Sequence, residues 1–250
     1  MTDLEAIYYP EKKAGGFSRL SGTIQFYQRV QALLRPGDTI LDFGAGRGLG
    51  HDGGPSYAKK LRTLQGEGRR VIGVDVDPIV TTNPSLDEAH IIEPGKPLPF
   101  ADATFDIIVT DFVLEHIGDA GQVARELDRV LKPGGWLCAR TTNRYGYVSL
   151  ASRMTPKRYR KKLASAALVE QEEDDIFHTH YRMNTLRALK KLFPPERYEH
   201  ACFAFDSEPQ YHFNKRLLFV ALMTIHYLTP PYFRNTLVCF LHKNAASLKG

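Results

Sequence analysis

The chain has 250 residues, 43% of them hydrophobic, with 33 Lys and Arg against 28 Asp and Glu, a formal charge of +5 and a pI near 9. That length suits one α/β domain with insertions and argues against two independent domains, and the apolar fraction is ample for a single large core. The positive balance permits a phosphate-bearing or membrane-surface partner without requiring one.

Met1 to Pro10 shows no basic region followed by an apolar run, so no secretory signal is visible and a cytoplasmic location is expected. Cys138, Cys202 and Cys239 are odd in number, far apart and set in apolar segments. They read as reduced core thiols and not as a disulfide framework or a zinc site, and no metal is expected.

Residues 1–38 read as an N-terminal arm and a helix. Residues 1–20 have no periodic pattern; then Ser21 or Thr23 caps a helix with Phe26, Val30, Leu33 and Leu34 on one face, ended by Arg35-Pro-Gly-Asp38. Thr39-Ile-Leu-Asp-Phe-Gly-Ala-Gly-Arg-Gly48 is a buried strand running into a glycine turn. Alternate glycines let backbone approach a ligand closely, and free N–H groups beyond a strand face its polar atoms. A dinucleotide G-x-G-x-x-G counted from Gly44 fails, because its third glycine falls on Leu49. The formal match at Gly48 to Gly53 begins too far past the strand and reads as loop composition. Leu49 to Pro55 is a loose insert, followed by a helix with Tyr57, Leu61 and Leu64 on one face.

Arg70 to Asp77 is the second strand. An acid ending the second strand of a nucleotide-binding sheet can accept from both ribose hydroxyls, and Asp75 has that position, 27 residues after Gly48 where roughly 20 is usual, the insert accounting for the excess. Asp77 and Pro78 start the next helix. Ala89 to Pro94 is a short third strand, and Phe105 to Thr110 is the fourth, with Asp111 and Phe112 at the edge where open α/β sheets bind ligands. A helix with Val123, Leu127, Val130 and Leu131 on one face stops at Lys132-Pro-Gly-Gly135, and Trp136 to Thr142 is the fifth strand. Its end, Thr142-Asn-Arg-Tyr145, offers polar groups to an acceptor.

Asp42-x-Gly44-x-Gly46-x-Gly48, Asp75, Leu98 to Asp111, Leu114-Glu-His-Ile117 and Lys132-Pro-Gly-Gly135, in that order, resemble the class I S-adenosylmethionine-dependent methyltransferases. The likeness is close over residues 39–142 and loose elsewhere. It implies an α/β, Rossmann-like seven-stranded sheet with helices on both faces and the seventh strand antiparallel. It also implies S-adenosyl-L-methionine as cofactor, held by Asp42, Gly44, Ala45, Gly46, Gly48, Asp75, Val76, Asp102, Ala103, Asp111 and Phe112. Asp102 would accept from the adenine amine and Ala103 would add a backbone donor.

Residues 143–183 form an acceptor-side insertion with a basic run, Lys157 to Lys162, and an acidic one, Glu170 to Asp175. Residues 184–250 complete the sheet: Asn184 caps a helix with Leu186, Leu189, Leu192 and Phe193, Tyr198 to Asp206 is the sixth strand and Thr236 to His242 the seventh. Between them, 213–228 is apolar on most sides and far short of the roughly 20 residues that span a bilayer. It is expected to be a packed helix or a lid in preference to a peripheral membrane contact.

Methyl transfer needs an acceptor atom in line with the donor, and a hydroxyl acceptor gains from a general base. His178 and His180, two apart in the insertion, and Asp111 at the sheet edge are the catalytic candidates, with positioning preferred for Asp111; His116 reads as structural. The expected acceptor is an oxygen of a small molecule, sugar or glycolipid. Nucleic acid is disfavoured, since the basic run is balanced by the acidic one and Thr229-Pro-Pro-Tyr232 lies at the wrong place for a base-methylating motif. A non-catalytic, cofactor-binding regulatory protein is the alternative.

Overall fold

A computed structural model describes residues 4–48, 56–154, 179–209 and 212–245. The loose insert, the basic and acidic runs and His178 lie outside the described residues.

Seven strands form one mixed sheet: β1 (Thr39–Phe43), β2 (Arg70–Asp75), β3 (Glu88–Ile91), β4 (Phe105–Asp111), β5 (Leu131–Thr142), β6 (Tyr198–Phe205) and β7 (Thr236–Lys243), in the order β3-β2-β1-β4-β5-β7-β6. The first five run parallel, and β7 is antiparallel to both β5 and β6. The order reverses between β1 and β4, so the crevice where ligands bind such sheets opens at the carboxyl ends of these two strands.

Strand alternation distributes the core to two faces. Ile40, Val71, Ile107, Val109, Cys138 and Val238 point to the side covered by α2 (Gly22–Leu33) and α3 (Ser56–Arg62). Leu41, Ile72, Ile108, Leu137, Ala139 and Leu237 point to the side covered by α4 (Ala120–Val130) and α6 (Leu186–Leu192). Helices thus cover both faces, as expected. Cys138 and Cys239 are buried, and Cys202 faces Cys239 across β6 and β7; all three thiols are free.

Ser21 caps α2, its hydroxyl accepting from Ile24 N, and Asp77 caps the 3-10 turn Pro78–Thr82 by accepting from Ile79 N. Three expectations need correction. Thr185, not Asn184, caps α6, accepting from Ala188 N, because Asn184 is fully buried and donates to Thr141 Oγ1 and Thr142 O. Lys132 to Gly135 belongs to β5, whose pairing with β4 shifts register between Phe105 and Ile107; Gly134 takes φ +78° there. Leu131, assigned to the face of the preceding helix, starts that strand.

The N-terminal arm is also structured. α1 (Leu4–Tyr8) and Tyr9 pack on Phe219 of α7 (Arg216–Leu228), with Tyr8 and Phe219 rings stacked at 5.1 Å. Among the described residues no helix is long and apolar enough to cross a membrane. The short α5 (Tyr147–Met154) follows β5 and borders the crevice.

Candidate active site

After β1 the chain turns across the end of β2. Gly44 N and Ala45 N both donate to Val74 O, at 2.8 and 3.1 Å, and Gly46 N donates to Asp75 Oδ2 at 2.9 Å. Asp75 Oδ1 accepts from Asp77 N at 2.9 Å, so the carboxylate is held by backbone on both oxygens. Asn83 closes the turn from below, donating to Ala45 O at 3.0 Å. Two of the glycines are required for different reasons. A Cβ on Gly44 (φ +81°) would come within 2.2 Å of Val113 Cγ2, whereas one on Gly46 (φ +50°) would meet no atom within 4 Å among the described residues and project into open space.

That space is a cleft of about 1230 Å³, above the ~300–1,000 Å³ of a site for one ligand and so roomy enough for two. The glycine turn, Asp75, Val76, Glu93, Asp111 and Phe112 line it, together with Glu115, His116, Thr142, Tyr147, His180 and His226.

Asp111 ends β4 in a bidentate ion pair. Arg140 Nε and Nη2 donate to its two oxygens at 2.6 Å each, and Tyr27 OH donates to Oδ2 at 3.2 Å. Both oxygens of this carboxylate are thus already engaged by the chain. Next to it, burial pushes the Asp42 carboxyl up to about 7, with the charges of Asp111 and Asp75 adding to the effect and Arg62 opposing it. Tyr27 is pushed above its ordinary range by burial first and then by Asp111.

The Leu114–His116 turn carries a buried hub. Glu115 Oε2 accepts from Thr141 Oγ1 at 2.7 Å and Oε1 from Thr142 Oγ1 at 2.8 Å, while its carbonyl accepts from His180 N at 2.7 Å. One residue thereby fixes both the end of β5 and the segment bearing His180, whose ring lies beside Gly118 at the cleft wall.

Elsewhere on the cleft wall, Tyr147 OH and His226 Nε2 lie 2.9 Å apart. Burial lowers the His226 pKa from its usual value and so favours the neutral imidazole, with the Asp206 charge and the Ser207 backbone working against the shift. Its Nδ1 and Asp206 Oδ2 are both buried without a hydrogen bond of normal geometry among the described residues. Asp206 Oδ1 is taken by Asn235, which donates through its backbone N and Nδ2 at 2.7 Å each.

Of the residues expected from the sequence, the fold brings Gly44, Ala45, Gly46, Gly48, Asp75, Val76, Asp111, Phe112 and His180 to one cleft. Asp42 sits behind it. Asp102 and Ala103 are not on its wall: the Asp102 side chain is 79% exposed and accepts from Arg129 at 2.9 Å, and Ala103 N donates to Arg129 O. Glu93, just past β3, does lie on that wall, beside Ile92, whose N donates to Asp75 O. An acid directly after the third strand was a readable signal. Tyr147 and His226 offered none, being 79 positions apart, with His226 inside an apolar helix. Asn143, a candidate acceptor contact, is 2% exposed and donates to Tyr232 O and Arg234 O.

A doubly wound sheet with a glycine turn after β1 and a backbone-held acid after β2 defines a Rossmann-like, nucleotide-binding architecture. Residues 41–139 match the family described as "Methyltransferase domain". A probable S-adenosylmethionine-dependent methyltransferase of Mycolicibacterium smegmatis is 35% identical over 123 residues, 47% of this chain and 43% of that protein. A ubiquinone/menaquinone biosynthesis C-methyltransferase of Vibrio campbellii is 30% identical over 112 residues, 41% of this chain and 40% of that protein. The chain spans less than half the length of these relatives. A SAM-dependent methyltransferase from Methanosarcina mazei shares the fold, with a TM-score of 0.52 at 20% identity, over 86% of this chain and 97% of that one. Over residues 41–139 the chain is thus similar to S-adenosylmethionine-dependent methyltransferases.

The residues present fit that cofactor. Gly46 keeps clear a space that a Cβ would enter, and the Asp75 carboxylate is fixed at its border.

Proposed function

We propose that the protein transfers the methyl group of S-adenosylmethionine to an oxygen of a small molecule, sugar or glycolipid. When bound, the cofactor supplies a methyl group already activated on a sulfonium. The Gly44–Gly48 turn, Asp75 and Glu93 would hold it, and the Asp111–Arg140 pair would fix the floor beside it.

The observation that carries the acceptor reading is the Tyr147–His226 pair on the wall of the same cleft. A neutral imidazole can accept the phenol proton while the phenol oxygen accepts one from an acceptor hydroxyl, and Asp206 stabilises the resulting imidazolium. This pair is a better base than Asp111, whose oxygens are taken. A lipid-borne acceptor suits the apolar helix that supplies His226. The Vibrio relative is named a C-methyltransferase, which favours a second reading: a ring carbon activated by loss of a neighbouring hydroxyl proton, work for the same pair.

Calorimetric titration with S-adenosylmethionine and, separately, NAD tests the cofactor; binding of the methyl donor alone is expected, and a folded protein that binds neither defeats the reading. S-adenosylhomocysteine release is then screened with sugars, lipid-linked glycans and phenols. Tyr147→Phe and His226→Ala should retain donor affinity and lose about 10²–10⁴-fold in turnover. Unaltered turnover in both removes the pair from the mechanism, and a protein that binds donor with no turnover on any acceptor favours the regulatory alternative.

A further inference from the structure

α7 is apolar on more sides than its packing uses. Phe219 and Leu222 are its buried side chains, and Phe219 meets Leu4 and Tyr9. The opposite side shows Leu217 at 88% exposure, Tyr227 at 89% and Leu228 at 70%, with Val220 and Ile225 also exposed. Pro230 to Phe233 continues this surface with Tyr232 and Phe233 exposed. Of sixteen exposed large hydrophobic side chains among the described residues, eight lie between Phe213 and Phe233. Singly exposed apolar residues are ordinary, but such concentration marks an interaction surface.

The charges around it select the occupant. Lys215 and Arg216 are exposed at the start of α7, and Arg234 follows Phe233. No Asp or Glu occurs after Glu208, while Lys215, Arg216 and Arg234 border the patch. A second copy docking through a two-fold would set these cations against each other without one carboxylate from this segment to offset them. An interface of anionic headgroups over an acyl layer meets both features, the cations at headgroup level and the aromatic and aliphatic side chains below. The helix has 13 residues, against roughly 20 for a span, so it lies flat.

We propose that α7 and the Pro230–Phe233 segment dock the protein on a bilayer surface bearing anionic headgroups. His226, on the same helix, opens into the cleft, so docking sets the cleft beside the lipid; that corollary rests on the acceptor side proposed above, whereas the docking itself does not.

The test is co-sedimentation of the full chain with large unilamellar vesicles of phosphatidylcholine alone and of phosphatidylcholine and phosphatidylglycerol in equal parts. Pelleting with the mixed vesicles, weakened by added salt, is expected. Leu217→Glu/Leu228→Glu should weaken it about tenfold or more, and Lys215→Glu/Arg216→Glu should lose about fivefold per cation on the mixed vesicles alone. All four positions are exposed, and melting temperature together with S-adenosylmethionine titration checks that each variant is folded. No pelleting of the parent chain, or equal pelleting of the apolar variant, overturns the proposal. So does a dimer, seen by light scattering, that the apolar variant disperses, since it assigns the face to a second copy. Failure of donor binding with vesicle binding intact would sink the methyl-transfer reading and leave the docking standing.

Discussion

Arg140 clasps Asp111 through Nε and Nη2, each 2.6 Å from a different carboxylate oxygen, with both side chains less than 15% exposed. Removing one member of such a pair strands the other charge in a largely buried position. Arg140→Met should cost about 3–5 kcal/mol, and Arg140→Met with Asp111→Leu should regain most of that loss. Urea midpoints of the two variants decide it; a single variant within about 1 kcal/mol of the parent contradicts the buried pairing.

Asp42 imposes a pH dependence of defined sign. Its folded pKa is about 7, raised by burial and by Asp111 and Asp75, against about 3.9 when unfolded. Between those values the folded chain holds a proton that the unfolded chain has released, so stability is full below about pH 4 and falls as pH rises through 7, by at most about 4 kcal/mol from this group. Asp42→Asn removes the slope. Thermal melts of the cofactor-free proteins at pH 5 and pH 8 should show the variant gaining on the parent at the higher pH, and parallel curves would refute the assignment.

Asp75 and Asp102 separate by position. Asp75 borders the cleft and is gripped by Gly46 N and Asp77 N, so Asp75→Ala should weaken S-adenosylmethionine by about 10- to 150-fold, the loss of charge-assisted bonds worth ~1.5–3 kcal/mol. Asp102→Ala should leave affinity unchanged, its carboxylate being exposed and held by Arg129. Glu93→Gln should fall between them. Calorimetry on the three variants would reverse the assignment of the acids if Asp102→Ala proved the most damaging.

The two glycines test space against fold. Gly44→Ala drives a Cβ into Val113 and should lower stability by about 1–3 kcal/mol. Gly46→Ala meets nothing among the described residues, so it should cost no more than about 1–2 kcal/mol for its positive φ while donor affinity drops at least tenfold. Equal donor affinity for Gly46→Ala and the parent would mean that the cofactor does not approach this turn.

The elements most readable in the sequence were those whose own residues enforce them. β1 announced itself because its apolar run stops at three glycines, and β2 because Asp75 ends it. Asn184 misled because its identity as a capping residue is local, while its burial under Thr141 and Thr142 depends on a contact more than forty residues away. Glu115 looked like part of a recurring motif, and nothing near it showed that two threonine hydroxyls would claim its carboxylate. The pairing of Tyr147 with His226 required the final course of the chain, since α7 reaches the cleft only because β6 and β7 place it there.

The position of β7 also orders the birth of the fold. β6 pairs with β7 alone, and β7 lies between β5 and β6, so the strand made last belongs in the interior of the sheet. During synthesis the half from β1 to β5 can assemble as the chain emerges, whereas β5 keeps an open edge and β6 stays unpaired until Lys243 is out. For that interval the apolar side chains of β5 and β6 are without their neighbour, and α7, made just before β7, is exposed with them. Any nascent-chain factor or lipid surface that shields this half would act within that window.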